Sequence, residues 1–216
     1  RMVGEGIDLK VSSGFGLSLP LEKAEFKFTL DAEATDFELL LDRFYGDFKD
    51  KRLGLSVEGE YLNNTGSLQV SRANLSLTDI GTLLLSGNVS NLTQTPHFDG
   101  EVHLVKLSNR EGYDFFIRET FQESFPFLSG LAMDGITTAV LSAKSSGEVF
   151  HARGEIQVQE MNVLSKELGI AATGMNISLP VDISYPEAPS LPKKVESFGS
   201  LRFQNLSWRA LEIRDL

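Results

Sequence analysis

Three histidines, His97, His103 and His151, are the residues best suited to bind a metal or move a proton near neutral pH. None has a second His or a Glu at ligand spacing, so the sequence assigns no metal site. Carboxylates are plentiful, and a glycosidase needs only two of them across a sugar. Asp31, Glu33, Asp36 and Glu38 cluster where a helix is expected to begin, and the helix dipole accounts for acids there. The chain has no Gly-x-Ser-x-Gly elbow, no Walker A motif and no Rossmann Gly-x-Gly-x-x-Gly. Gly14-Phe15-Gly16 lacks the third glycine and the following helix, and reads as a turn. There is no cysteine, which removes disulfides, thiolate metal sites and Cys nucleophiles. The expectation is a non-enzyme with no catalytic residue, no cofactor and no metal. A carbohydrate-active enzyme ranks last among the readings. Six Asn-x-Ser/Thr sequons occur, at Asn63, Asn74, Asn88, Asn91, Asn176 and Asn205. Several belong to a repeating Asn-aliphatic-Ser/Thr strand pattern and are read as structural.

The elements that would position these residues show a repeat. Gly, then Glu or Ser, an aliphatic, any residue and another apolar residue recur at Gly66–Val70, Gly100–Leu104, Gly154–Val158 and Gly199–Phe203. Each copy alternates with period two, so each predicts a strand opened by glycine. Residues 66–81 align without gaps on 154–169, with Gly66 on Gly154, Gln69 on Gln157, Asn74 on Asn162 and Gly81 on Gly169. This predicts one β-rich domain over 1–216 with an internal duplication, about 35–107 and 108–216. Gly81 and Gly169 are expected in equivalent tight turns with positive φ. Ile7, Leu9 and Val11, and then Ala24, Phe26, Phe28 and Leu30, alternate in the same way. Pro180, Pro186, Pro189 and Pro192 predict a loop that ends before Ser197.

Two segments break the strand rhythm. Thr35-Asp36-Phe37-Glu38 is a capping-box pattern, followed by Leu40, Leu41, Phe44, Tyr45 and Phe48 at helical spacing. Ser108-Asn109-Arg110-Glu111 is a second such box, followed by Tyr113, Phe116, Ile117, Thr120 and Phe121, with Pro126 and Gly130 as stops. Helices are therefore expected near 36–47 and 110–125, with Phe37, Phe44, Phe116 and Phe121 plugging the open end of a sheet. The fold class expected is mainly β: a twisted antiparallel sheet, an open barrel or gutter, with two amphipathic helices.

The chain has 216 residues, 41% of them hydrophobic, and a formal net charge of −10. Such an acidic chain repels phosphate backbones, so no nucleic-acid partner is expected. No segment approaches the ~20 apolar residues that a membrane helix needs. The last residues read as a strand in mid-stride, so the sequence is expected to be a piece of a longer protein.

The Gly-Glu-aliphatic-x-aliphatic strands, the Phe-Pro-Phe-Leu-x-Gly-Leu step from Phe125 to Leu131 and the strands after it resemble the AsmA-like superfamily of bacterial envelope proteins. The resemblance covers Phe125 to Leu179, and more loosely residues 53–107. It implies a gutter-shaped periplasmic sheet, anchored to the inner membrane by a segment outside this chain. It also implies an apolar inner surface that carries phospholipid acyl chains between membranes or supports outer-membrane biogenesis. The family pattern includes no catalytic residues. The two aromatic segments and the negative charge depart from it.

The alternating phase assigns a candidate groove to Leu68, Val70, Val102, Leu104, Ile156, Val158, Leu201 and Phe203, which would form one apolar surface if the copies pair in register. The expected partners are a phospholipid or other hydrophobic ligand and neighbouring domains of the same longer chain. The alternative is a closed β scaffold that binds a protein or a glycan.

Overall fold

The computed structural model describes residues 2–5, 8–18, 25–41, 44–92, 95–186, 198–209 and 211–214. Period-two alternation turns most of this chain into strands. β1 (Met2–Glu5), β4 (Glu38–Leu41) and β5 (Phe44–Asp47) form a small antiparallel sheet in the order β1-β4-β5. β2 (Asp8–Leu17), β3 (Glu25–Thr35), β6 (Arg52–Leu62), β7 (Ser67–Leu77) and β8 (Gly81–Ser90) belong to a large one. So do β9 (His97–Ser108), β10 (Leu131–Ser146), β11 (Val149–Ser165), β12 (Ile170–Tyr185), β14 (Asn205–Trp208) and β15 (Leu211–Arg214). The order across the large sheet is β15-β14-β12-β11-β10-β9-β8-β7-β6-β3-β2, with β13 (Ser200–Arg202) beside β12. Every pairing is antiparallel, and the two ends of the path do not meet. The chain is thus mainly β, built on one open antiparallel sheet.

The helix expected over 36–47 does not form. Phe37 and Phe48 close a hairpin instead, with the Phe48 amide donating to the Phe37 carbonyl at 2.8 Å. β4 pairs with β5 on one side and with β1 on the other, and these ladder bonds outweigh a helical spacing of apolar residues that also contains Gly46. Asp36 takes φ 56 at the entrance to this hairpin.

The second segment is helical. Ser108 caps it as the sequence predicts, its hydroxyl accepting from the Glu111 amide at 3.5 Å. It runs as α1 (Asn109–Gly112), a π-helical stretch (Tyr113–Arg118), α2 (Glu119–Phe121) and, after a turn, a 3₁₀ stretch (Pro126–Gly130). Wider i→i+5 winding changes which residues face inward. Phe115 is 5% exposed, whereas Phe116 and Phe121, which the α-helical spacing placed inward, are 38% and 37% exposed.

Turns differ from expectation in detail. Gly169 takes φ +64 in the β11–β12 turn, but Gly81 pairs with Leu77 inside the ladder and Asp79 supplies the positive φ of its turn. Gly100 and Gly154 lie within strands and do not open them. Pro180 also lies within a strand, opposite Glu155, on a stretch of β12 with no described neighbour on its other side, where a missing N–H costs no ladder bond. Ile7, Ala24, Pro189 and Pro192 fall outside the described residues.

Bulges recur along alternate strands. Ser71-Arg72 on β7, Val105-Lys106 on β9 and Gln159-Glu160 on β11 each interrupt the register with both neighbours. An extra residue bends its strand and increases local twist. The first and third of these bulges fall at aligned positions of the repeated sequence.

The packed core is small and lies at one end of the sheet. Phe37, Phe48, Ile80 and Phe115 are its buried members, joined by Ala34, Leu39, Leu53, Leu77 and Leu107. Phe48 stacks on Phe37 with ring centroids 4.2 Å apart and meets Phe115 edge-on at 4.9 Å. The hairpin of β4 and β5 and the helical segment together cap this end.

Candidate functional site

Residues directly opposite in an antiparallel ladder share a face, and so do residues two apart in a strand. Following the ladder therefore sorts the sheet. Phe26, Tyr61, Leu68, Val89 and Phe98 occupy one row. Leu55, Leu75, Leu83, Leu104, Ala139, Ile156 and Leu179 lie in a row nearer the cap. One face is apolar from β2 across to β12. The other carries Lys27, Glu58, Gln69, Asn88, Asp99, Lys144, His151 and Asp182 and is predominantly polar, with Leu84 and Val140 opposite His103 among its apolar members.

Among the described residues, no second layer covers most of the apolar face. Substantial contacts within the large sheet run between ladder neighbours, and those of the helical segment are with β9, β10 and the cap. Among the described residues the buried hydrophobics reduce to Phe37, Phe48, Ile80, Tyr113, Phe115, Leu128, Ala143 and Ala172. The chain exposes 14783 Å², against roughly 9,900 Å² for a compact monomer of its mass. Exposure is greatest at the two lateral margins: Phe15 is 84% exposed on β2, and Ile183 is 56% exposed on β12.

Across the middle strands the face shields itself sideways. A Cβ on Gly59 would lie 2.6 Å from Phe28 Cζ, one on Gly100 2.7 Å from Phe98 Cζ and one on Gly154 2.9 Å from Leu141 Cδ2. Each side chain leans over a neighbouring glycine, which lowers its exposure without any covering layer. The aromatic ring also replaces contacts that glycine cannot make in a strand.

The sequence-assigned groove residues can now be placed. Leu68, Val70, Val102, Leu104, Ile156 and Val158 are half-buried on the apolar face, and Leu201 joins them at 56% exposure, opposite Ile177. Phe203 is half-buried just beyond β13, outside the ladder. The register expected between the motif strands does not form, because β8, β10 and β12 separate them. The residues run as a diagonal. Val70 aligns through Gly87 with Gly100, so Val102 lies one row nearer the cap, and Leu104 aligns through Ala139 with Ile156. Sequence phase identified the face but could not give the stagger. Of the plug residues, Phe37 is buried in the cap, Phe116 and Phe121 are largely exposed, and the side chain of Phe44 lies outside the described set. Phe48 and Phe115 complete the cap. Phe48 fits the helical face that its spacing predicts, whereas Phe115 lies off the face predicted for the second segment.

On the polar face, His151 Nε2 lies 2.8 Å from Asp182 Oδ1 and His103 Nε2 lies 3.2 Å from Glu101 Oε2. Lys144 Nζ donates to Asp99 at 2.9 Å. All of these side chains are more than a third exposed. Hydrogen bonds from Ser178 and then Gln157 hold the Glu155 carboxyl below its usual range. A hollow of about 390 Å³ on this face is lined by Lys10, Ser12, Asp31, Glu33, Gly54 and Asn74 among others. Among the described residues, no three His, Asp or Glu side chains converge to hold a metal, and no helix is long and apolar enough to cross a membrane.

The cap has its own electrostatics. Burial raises the Glu119 carboxyl, Arg118 and Lys51 oppose the shift, and Asp47 and Asp114 add to it. The Tyr113 hydroxyl donates to the Leu128 carbonyl at 2.7 Å and is raised chiefly by burial.

No family model matches the chain, and the searches of curated proteins and of solved structures likewise found no match.

Proposed function

We propose that this chain is a non-enzymatic, AsmA-like module of the bacterial envelope that holds or conducts phospholipid acyl chains on the apolar face of its sheet. The observation that carries this reading is an open antiparallel sheet with one apolar face that, among the described residues, is covered only at one end. Each large side chain there gains ~1.5–3 kcal/mol on full burial, so such a face favours a hydrophobic occupant. The face is wide enough for one. Eight inter-strand spacings across the nine strands from β2 to β12 span roughly 38 Å, against ~15 Å for the hydrocarbon of one leaflet. In this reading the exposed lateral strands meet neighbouring modules of the same longer chain, and the protein works in the periplasm on a membrane anchor outside this segment. The β-rich fold and the periodic Gly-Glu-aliphatic strands support it.

Mass spectrometry of organic extracts of the purified protein tests the reading directly: co-purifying phospholipid is expected, and a lipid-free protein that also fails to take lipid from vesicles overturns it. Val158→Asp places a charge on the face opposite Thr137 and Ile177. A ligand-facing wall can hydrate where a packed core cannot. The variant should therefore fold and lose lipid. A folded variant that retains lipid refutes the assignment, and global unfolding favours a sheet packed shut as a scaffold.

A further inference from the structure

The apolar face is not symmetric along its strands. At one end lies the cap of Phe37, Phe48, Ile80 and Phe115, ringed by ion pairs: Lys49 with Glu38 at 2.7 Å, Arg52 with Glu33 at 3.6 Å, Lys51 with Asp79 at 3.6 Å, and Arg110 with Asp134. At the other end lie the turns between β6 and β7, β8 and β9, and β10 and β11. Their described residues include Asn63, Asn64, Thr65, Asn91, Thr95 and Glu148, and no Lys or Arg. In the middle of the sheet the uncapped face runs from the row of Leu68 to the row of Leu75. On β8, which carries no bulge here, the two rows are Val89 and Leu83; six residue steps at ~3.3 Å give about 20 Å, enough for one leaflet's ~15 Å of hydrocarbon and the start of its headgroup.

Resting on the lipid-holding reading above, we infer that the bound amphiphile lies along the strands, its methyl ends against the aromatic cap and its headgroup among the turns at the other end. We infer further that this headgroup is neutral or zwitterionic rather than anionic. Hydrocarbon gains nothing from the polar turns, and a headgroup cannot hydrate against the cap. A zwitterionic headgroup carries its own ammonium beside the phosphate, whereas a headgroup of net negative charge recruits Arg or Lys for charge-assisted hydrogen bonds, and the turns offer none among their described residues. Glu148 and the net charge of −10 further disfavour an anion.

Tryptophan quenching tests the orientation. The native Trp208, 56% exposed, is first replaced by Phe. Single reporters are then placed at the cap end by Leu75→Trp and at the turn end by Val89→Trp, with Leu104→Trp as an independent reporter in the row of Leu75. The probe is a phosphatidylcholine spin-labelled either near the glycerol or near the methyl end of one chain. The methyl-end label should quench the cap-end reporters several-fold more than the turn-end one, and the glycerol-end label should do the reverse. Quenching that is reversed or independent of label position overturns the orientation while leaving the lipid-holding reading intact. Failure of the unsubstituted protein to take up either lipid removes that reading itself. For headgroup class, vesicles mixing phosphatidylcholine and phosphatidylglycerol are offered. Preferential uptake of the zwitterionic lipid is expected, and Asn64→Lys should shift uptake toward the anionic one. Equal uptake, or a preference of the unsubstituted protein for phosphatidylglycerol, refutes the headgroup assignment.

Discussion

Replacing Phe48 by Ala should unfold this protein at a much lower temperature than replacing the far more conspicuous Phe15 by Ser. Phe48 is 5% exposed, stacked on Phe37 at 4.2 Å and edge-on to Phe115 at 4.9 Å, in the one place where the chain builds a conventional core. Truncating a packed Phe to Ala costs about 3–5 kcal/mol, through lost transfer energy and the cavity left behind. Each kcal/mol lowers the melting temperature of a domain of this size by about 2–4 °C, which gives a drop of roughly 6–20 °C. Phe15 sits on the margin strand β2 at 84% exposure, and a substitution that exposed should stay within about 0.5 kcal/mol. Thermal melts followed by far-UV circular dichroism give both shifts. If Phe15→Ser destabilises as much as Phe48→Ala, the margin strand is covered in the free protein and the account of an open face fails. If Phe48→Ala melts with the unsubstituted protein, the cap is not where the stability resides.

Other substitutions probe the remaining arguments. Gly100→Ala would place a Cβ 2.6 Å from the Ser86 carbonyl and 2.7 Å from Phe98; overpacking of that kind costs about 1–3 kcal/mol. Gly16→Ala, whose nearest atom would be Lys27 Cβ at 3.9 Å, should melt unchanged beside it. Tyr113→Phe removes the donor to the buried Leu128 carbonyl and should cost about 1–3 kcal/mol in chemical denaturation, unless water replaces the hydroxyl. Glu119 has a folded pKa raised above its unfolded value, so its contribution to stability is complete below the unfolded value of 4.5 and is lost as pH rises through the folded one. Glu119→Gln should therefore give a small stabilisation at neutral pH that disappears in acid, and a gain independent of pH would remove the electrostatic explanation.

Much of the sheet was legible because a period of two is a local property. Leu68 and Val70, or Ile156 and Val158, declare a common face within three residues of sequence. What sets Val102 one row nearer the cap than Val70 is the length and stagger of the hairpins between them, and no local pattern encodes that. The segment from Phe37 to Phe48 illustrates the opposite failure. Its apolar residues satisfy a helical spacing and also a hairpin, and the decision came from β1, a strand more than 30 residues earlier in the sequence. In the second segment the start was legible from Ser108, but the π-helical winding was not, so Phe115 and Phe116 exchanged roles. Leaning of Phe28 over Gly59 and of Leu141 over Gly154 likewise depends on cross-strand register that the sequence does not display, whereas Phe98 and Gly100 stand two apart on one strand.

The arrangement joins two demands that usually conflict. A ligand-holding surface must remain apolar and uncovered, yet a domain with few buried side chains struggles to offset the entropy of ordering its chain. Part of the resolution is spatial: the aromatic cap concentrates close packing at one end, where Ile80 is 2% exposed. The rest is distributed, as Phe28, Phe98 and Leu141 lower their exposure by lying over Gly59, Gly100 and Gly154, while each interior strand has ladder partners on both sides. Apolar residues on β2, and on the stretch of β12 beyond its pairing with β13, have no further described strand to lean on, which is why exposure rises toward the margins. In the proposed reading, a ligand on the middle strands buries side chains already partly shielded, and adjoining modules bury the margins. The two contributions are separable, because lipid should raise the melting temperature of this isolated chain by an amount that grows with lipid concentration, without reducing protease sensitivity at β2.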